Sequence, residues 1–461
     1  MRRLTSLSPL FLALVAVVTA PAEAQQLAKS PPMGWNSWDA YGLTIDEKEF
    51  RANVTVLAGL KTFGWKYAII DEGWYMADPF VEGLEARGYQ LDDHGLLIPA
   101  AKRFPSSEGG AGLKPLADWT HAQGLQLGVH IVRGIPKEAV RKNSSIAGTE
   151  FHAADAADTS DTCPWDDGNY GIRDNAAGQA YYNSMLQLYA GWGIDFIKVD
   201  CIADHPYRAS EIRQIAAAIR NTGRPIVLSL SPGPTNLSHA EEVGRYAQMW
   251  RISNDIWDGW TFTYKKPTED FPAGVITAFD NLAKWASHAR PGNWPDADML
   301  PFSSLTPHPG WGEPRHSRLT PEEQRTQFAL WAIARSPLIL GAQLTSLDKD
   351  TRSLITNRAL IEVNQTASSS HPVENLPQGF EHVRVWVAQQ GGGSGKSRAT
   401  VAIFNLDDQP AKLVATWAQL GASTGAGRYA VQNLFDASRV KDSPGIDLVL
   451  PPHGSAVFGL R

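Results

Sequence analysis

Two cysteines, Cys163 and Cys201, are all that 461 residues contain, which excludes a disulfide-dense scaffold and any centre built from several thiolates. Positive charge is also in short supply. The 42 Lys and Arg face 48 Asp and Glu, a net charge of −6, so the chain lacks the basic excess of nucleic-acid binders and no nucleic-acid partner is expected. Beyond the N-terminus no apolar run reaches the ~18 residues that a membrane helix needs. No Gly-x-Gly-x-x-Gly follows an early strand, which argues against a dinucleotide fold. The 12 histidines never fall at His-x-x-x-His spacing, and neither a metal nor a cofactor is expected.

What is present is aromatic: 16 Trp and 16 Phe within an otherwise ordinary soluble composition of 43% hydrophobic and 20% charged residues. The count alone fits a large core that holds many rings. At the N-terminus, Arg2 and Arg3 precede an apolar stretch from Leu7 to Val18, and Ala22-Glu23-Ala24 follows. A basic start, a short apolar run and small residues at the cleavage positions describe a secretory signal over residues 1–24, cut after Ala24. The expected location is therefore secreted or periplasmic. In such an oxidising compartment the two cysteines could form one disulfide or remain as two buried thiols.

From about residue 30 to 365, β-rich runs alternate with helical stretches. Tyr67–Asp71, Leu125–His130, Ile194–Asp200 and Pro225–Leu230 read as strands. Segments 113–123, 176–192, 209–222 and 321–335 read as helices. This alternation predicts a parallel α/β architecture, and Asp71, His130, Lys198 and Asp200 all fall at strand C-termini, where (β/α)8 TIM barrels assemble their sites. After residue 370 the texture becomes alternating: segments 383–388, 399–404, 412–416 and 446–450 are strands, with Gly391–Gly395 as a turn. The predicted organisation is a catalytic barrel over 25–368 and a C-terminal antiparallel β-domain, a sandwich, over 369–461.

Two acids stand out. Asp200 closes the strand that contains Lys198, and Asp255 lies among Trp250, Trp257 and Trp260 with Arg251 four residues before it. Each alone has an ordinary structural reading, as a cap or a salt bridge. Together they supply what glycosidic bond cleavage requires: one ionised carboxylate and one protonated carboxyl. An aromatic surround would raise the pKa of Asp255 and suit it to the acid role.

The motifs Pro32–Trp38, Asp71-Glu-Gly-Trp74, Lys198-Val-Asp200, Arg251–Asp255, Trp294–Met299 and Ser336–Gly341 occur in the order found in the α-galactosidases. The chain resembles glycoside hydrolase family 27 over about residues 30–365, with the matching β-sandwich behind. The resemblance implies a retaining double displacement, with Asp200 as nucleophile and Asp255 as acid/base. It implies that Trp35, Asp71, Lys198, Arg251 and Asp298 contact the sugar, and that Cys163, beside the sugar, bridges to Cys201. Several positions depart from the family pattern, among them Gly73, which stands where the family has a cysteine, so one family disulfide is missing. Glu72 replaces the second Asp of an Asp-Asp pair, His130 stands where Tyr is common, and Ser231-Pro-Gly-Pro234 replaces the segment that reads the 2-substituent. The extra methylene of Glu72 would crowd a galactose hydroxymethyl group. The expected activity, implied by the family motifs, is an exo-α-galactosidase acting on a carbohydrate substrate. A β-L-arabinopyranosidase of the same family is the alternative, and a non-catalytic glycan-binding barrel is a third reading. Trp35, Trp38, Trp74 and Trp294 sit in these motifs, so a sugar pocket is expected to absorb part of the tryptophan excess. The oligomeric state is not legible.

Overall fold

The computed structural model describes residues 27–262, 271–308, 312–391, 398–422 and 427–461. The proposed signal, residues 1–24, and most of the Gly391–Gly395 turn lie outside them.

Eight parallel strands form the first unit: β1 (Met33–Asn36), β2 (Tyr67–Ile70), β3 (Gln126–Val132), β4 (Phe196–Asp200), β5 (Val227–Leu230), β6 (Met249–Arg251), β7 (Trp294–Asp296) and β8 (Leu338–Leu340). Their spatial order is β7-β6-β5-β4-β3-β2-β1-β8. The ring closes just past the end of β7, where Leu300 bridges Leu340 and the Leu300 N–H donates to the Ile339 carbonyl. This is the (β/α)8 barrel expected from the alternation.

Because side chains alternate along a strand, register sorts each residue inward or outward. Tyr67, Ile69, Phe196, Val227, Met249 and Ile339 share one apolar cluster within the ring. Met33, Trp35, Ala68, Ile70, Ile197 and Val199 belong to the larger core between strands and helices. Two residues beyond Ile69 and Phe196 the inward positions turn polar, at Asp71, Lys198 and then Asp200. Gly34 and Gly128 leave room for this crowding, since a β-carbon at Gly34 would lie 2.4 Å from the Tyr67 carbonyl oxygen.

The helices follow ordinary local chemistry. Helix Ala176–Trp192 is capped by the Asn175 side chain and ends at Gly193 with φ 91°. Helix Pro321–Ala334 starts with a Thr320/Glu323 capping box. It is buried nearly all round because it lies between the barrel and the second unit.

That second unit begins at Ala367, where helix Arg358–Thr366 ends. Its strands are β9 (Ala367–Pro372), β10 (Val383–Gln390), β11 (Arg398–Asn405), β12 (Ala411–Thr416), β13 (Tyr429–Asn433), β14 (Arg439–Ser443), β15 (Gly445–Leu450) and β16 (Ser455–Leu460). An antiparallel sheet in the order β9-β10-β11-β16-β13-β14 packs against the pair β12-β15. Alternation again divides the work. Val385, Val387, Val401 and Ile403 face the small core with Leu413 and Trp417. Trp386, Ala388, Ala402 and Phe404 join the barrel's own core. Residues 133–175, between β3 and β4, leave the barrel as an excursion carrying three short strands. Arg133 pins it by pairing with Asp161 at 2.9 Å and Glu211 at 2.7 Å.

Candidate active site

The C-terminal ends of β2, β3 and β4 bring together Asp71, His130, Lys198 and Asp200. The Lys198 ammonium donates to Asp71 Oδ2 at 2.9 Å, and Asn36 Nδ2 donates to the same oxygen at 2.6 Å. The His130 ring Nε2 lies 3.3 Å from Asp200 Oδ2 and 3.9 Å from Asp71 Oδ1. Asp200 Oδ1 accepts from the Cys201 N–H at 2.6 Å. Cys201 has φ 60°, a left-handed value uncommon for a non-glycine residue, at the turn that follows the carboxylate.

These contacts set the charges. Burial pushes the Asp71 carboxyl up, but Lys198 and His130 outweigh it and hold it at about 2. Burial likewise opposes ionisation of Asp200, and the His130 hydrogen bond, the His130 and Lys198 charges and the Cys201 N–H together keep its pKa below the ordinary value. Burial would lower the Lys198 pKa, yet Asp71 and Asp200 raise it. The result is an ionised carboxylate with its lone pairs held in place, which is the state a nucleophile requires.

On the other side of the mouth, Arg251 at the end of β6 donates to Asp255 Oδ1 at 3.1 Å and lies 2.7 Å from Asp298 Oδ2. Asp298 Oδ2 also accepts the Ile256 N–H at 2.7 Å. The buried Asp298 carboxyl thus grips the loop that bears Asp255 through both the guanidinium and the backbone. Burial, opposed by Arg251 and reinforced by Asp255 and Asp296, pushes Asp298 up to about 7. Asp298 itself has φ 89°. Asp255 remains about a third exposed and paired with Arg251, a wetter setting than three neighbouring tryptophans suggest.

The tryptophans require a correction. Trp35, expected on the sugar, is fully buried on the outward face of β1, where its indole N–H donates to the Ala342 carbonyl at 2.7 Å. Strand parity decides this, since its neighbour Asn36 points inward to Asp71. Trp74, Trp250 and Trp294 are also fully buried, so most of the motif tryptophans are core. Trp38, beyond the end of β1, is the partly exposed member of its motif and packs on the apolar cluster inside the ring.

Other expected positions fall as follows. Glu72, buried, flanks the Asp200 side, and burial with the neighbouring Asp166, Asp200 and Asp71 charges drives its carboxyl well above the usual range. Ser231, buried at the end of β5, accepts the Ile202 N–H through its carbonyl and so ties the β5 and β4 loops. Cys163 and Cys201 form a buried disulfide with Cα atoms 6.0 Å apart. Sequence reasoning passed over Asn36, because the four buried residues of β1 show no alternation that would mark its inward parity. It also missed Asp39, a buried carboxyl raised by burial and by Asp298, in a helix of only four residues. Among the described residues no cluster of His, Cys, Asp and Glu has the makings of a metal site.

A strand-borne carboxylate beside a lysine and a second acid held by an arginine are the two carboxyl groups that glycosidic bond cleavage requires. The melibiase family model described as alpha-galactosidase A matches residues 165–366. An α-galactosidase from Coffea arabica is 30% identical, with 95% of each chain covered. The crystal structure of a GH27 β-L-arabinopyranosidase from Geobacillus stearothermophilus is 38% identical with a TM-score of 0.84, covering 94% of this chain and 96% of that one. The chain belongs to glycoside hydrolase family 27. A second structure of that arabinopyranosidase, in complex with arabinose, gives 37% identity and a TM-score of 0.86, covering 96% and 99%. This family 27 glycosidase is also similar to an α-galactosidase A from Cellvibrio japonicus, 29% identical over 82% of this chain and 78% of that protein.

Proposed function

We propose that the protein is an exported retaining β-L-arabinopyranosidase. The observation that carries this reading is the contrast in similarity: 37–38% to the arabinopyranosidase over nearly the whole chain, against 30% to the coffee α-galactosidase. β-L-Arabinopyranose has the ring configuration of α-galactose without the C5 hydroxymethyl group. Glu72, one methylene longer than Asp at the pocket wall, supports the smaller sugar on steric grounds.

In the reaction, Asp200 attacks the anomeric carbon while the bond to the leaving oxygen breaks and Asp255 delivers a proton to that oxygen. Water then attacks the glycosyl–Asp200 ester, giving its proton to Asp255 and releasing Asp200. Lys198 and Asp71 hold sugar hydroxyls, and His130 keeps the nucleophile oriented. Arg251 sets the position of Asp255.

A panel of aryl glycosides, with NMR observation of the first anomer released, tests the reading. Faster turnover of the β-L-arabinopyranoside with retained configuration is expected. A preference for the α-galactoside would return the assignment to α-galactosidase, and inversion would remove the double displacement. In the same panel Glu72→Asp should shift the preference toward the galactoside. Export is tested by N-terminal sequencing of the mature protein, which should begin at Gln25.

A further inference from the structure

Glu72 is not alone in its wall. Its side chain shares a hydrogen bond with Asp166, a residue that the reaction does not use. Asp166 is 3% exposed and sits three residues after Cys163, on the excursion loop that the disulfide staples to Cys201, next to the nucleophile. Two donors converge on this acid. The Tyr89 hydroxyl lies 3.1 and 3.2 Å from its two oxygens, and the Gly168 N–H donates to Oδ1 at 2.8 Å. Tyr89 is held in turn by Tyr75, with ring centroids 4.8 Å apart and an edge-on geometry. The fit leaves no slack, since a β-carbon at Gly168 would lie 2.6 Å from the Tyr89 hydroxyl oxygen.

Two carboxyl groups in hydrogen-bond contact cannot both be ionised without great cost in a buried site. Asp166 has the donors that stabilise an anion. Glu72 faces Asp166, Asp200 and Asp71, all acids. The tyrosines Tyr75 and Tyr89 complete its titratable surroundings. The proton of the pair therefore resides on Glu72 and points at Asp166.

We propose that Asp166 is a specificity-positioning residue: gripped by Tyr89 and Gly168 and stapled to the nucleophile loop, it holds Glu72 as a neutral donor and fixes that wall of the sugar pocket. The role of Glu72 in choosing the sugar rests on the arabinopyranosidase reading, whereas the state of the pair does not. Were Glu72 to ionise, it would add a negative charge beside Asp71 and Asp200 and disturb the catalytic group. Loss of its proton thus marks an alkaline limit of activity.

The test is the pH profile of kcat/KM for the full-length enzyme, on whichever aryl glycoside the parent hydrolyses faster, with an acidic phenol as leaving group so that the proton of Asp255 does not set the alkaline limb. Asp166→Asn removes the like charge and supplies an N–H, so Glu72 ionises more easily. The alkaline limb should move down by about one pH unit. Tyr89→Phe, which keeps the ring against Tyr75, removes a donor that the doubly ionised pair needs, so the limb should move up. Opposite shifts in two folded variants are not the signature of general loosening. Limbs that stay at the parent position, or that move in the same direction, overturn the proposal. If Asp166→Asn does not fold, Tyr89→Phe decides alone: an upward shift supports the pair and any other result overturns it. Failure of the sugar assignment would appear separately, as a parent enzyme that prefers the galactoside.

Discussion

The two sides of the barrel mouth hold their carboxylates in opposite ways. On the β2–β4 side, Asp71 and Asp200 end regular strands, meet Lys198 and His130 at close range, and are driven below their ordinary pKa. On the β6–β7 side, Asp255 stands on a loop and is partly wet, while Asp298 beneath it is driven up to about 7. The first side is built to keep charge in place. The second, whose acid would give and take a proton in the proposed reaction, is built around one guanidinium shared by two carboxyl groups. Rigid strand ends suit a nucleophile whose lone pair must be aimed, whereas a loop suits a group that needs access to water.

Removing either acid should expose this difference. Asp200→Ala is expected to lower kcat on every aryl glycoside by about 10⁴-fold or more, since no bond to the anomeric carbon can form. Circular dichroism should show an unchanged fold. Asp255→Asn should cost less, about 10²–10⁴-fold. Its deficit should shrink as the leaving group becomes more acidic, because a good leaving phenolate needs little protonation. An equal deficit for all leaving groups would show that Asp255 is not the acid.

The staple on the nucleophile side is the next lever. The disulfide joins residues 38 apart, and its loss in Cys163→Ala/Cys201→Ala should cost about 2–4 kcal/mol in urea unfolding. Turnover should fall on the nucleophile step, with little change in the leaving-group dependence set by Asp255.

Smallest is the effect of pH on stability, and its sign separates the two sides. Asp71 has a folded pKa of about 2 against 3.8 in the ordinary state, so its contribution of about 2 kcal/mol is complete above pH 3.8 and is lost as the pH falls toward 2. Asp298 is raised, so its contribution is complete below pH 3.8 and is lost as the pH rises through about 7. Urea unfolding across pH 2–8 should show that Asp298→Asn flattens the loss on the alkaline side and leaves the acid side unchanged.

How far the site could be read in advance follows from strand composition. Strands β2 to β5 carry runs such as Tyr67-Ala-Ile-Ile70 and Phe196-Ile-Lys-Val-Asp200, so their ends, and with them Asp71, His130, Lys198 and Asp200, were legible. Strands β1, β6, β7 and β8 are three or four residues long, and three of them hold Trp or Pro where a β-branched run would give the signal. There the motifs were visible but their parity was not. That is why Trp35 was placed on the sugar and Asn36 was passed over.

By itself the chain determined the alternation of strand and helix, the change of texture near residue 370, the two acids and the family to which their motifs belong. These are local properties, carried by periodicity and by residues adjacent in sequence. Only the tertiary structure decided which face each short strand presents, that the motif tryptophans are chiefly core, and that Glu72 meets Asp166. Register between strands and contact between loops 94 positions apart depend on how the whole ring closes, and no window of sequence contains that information.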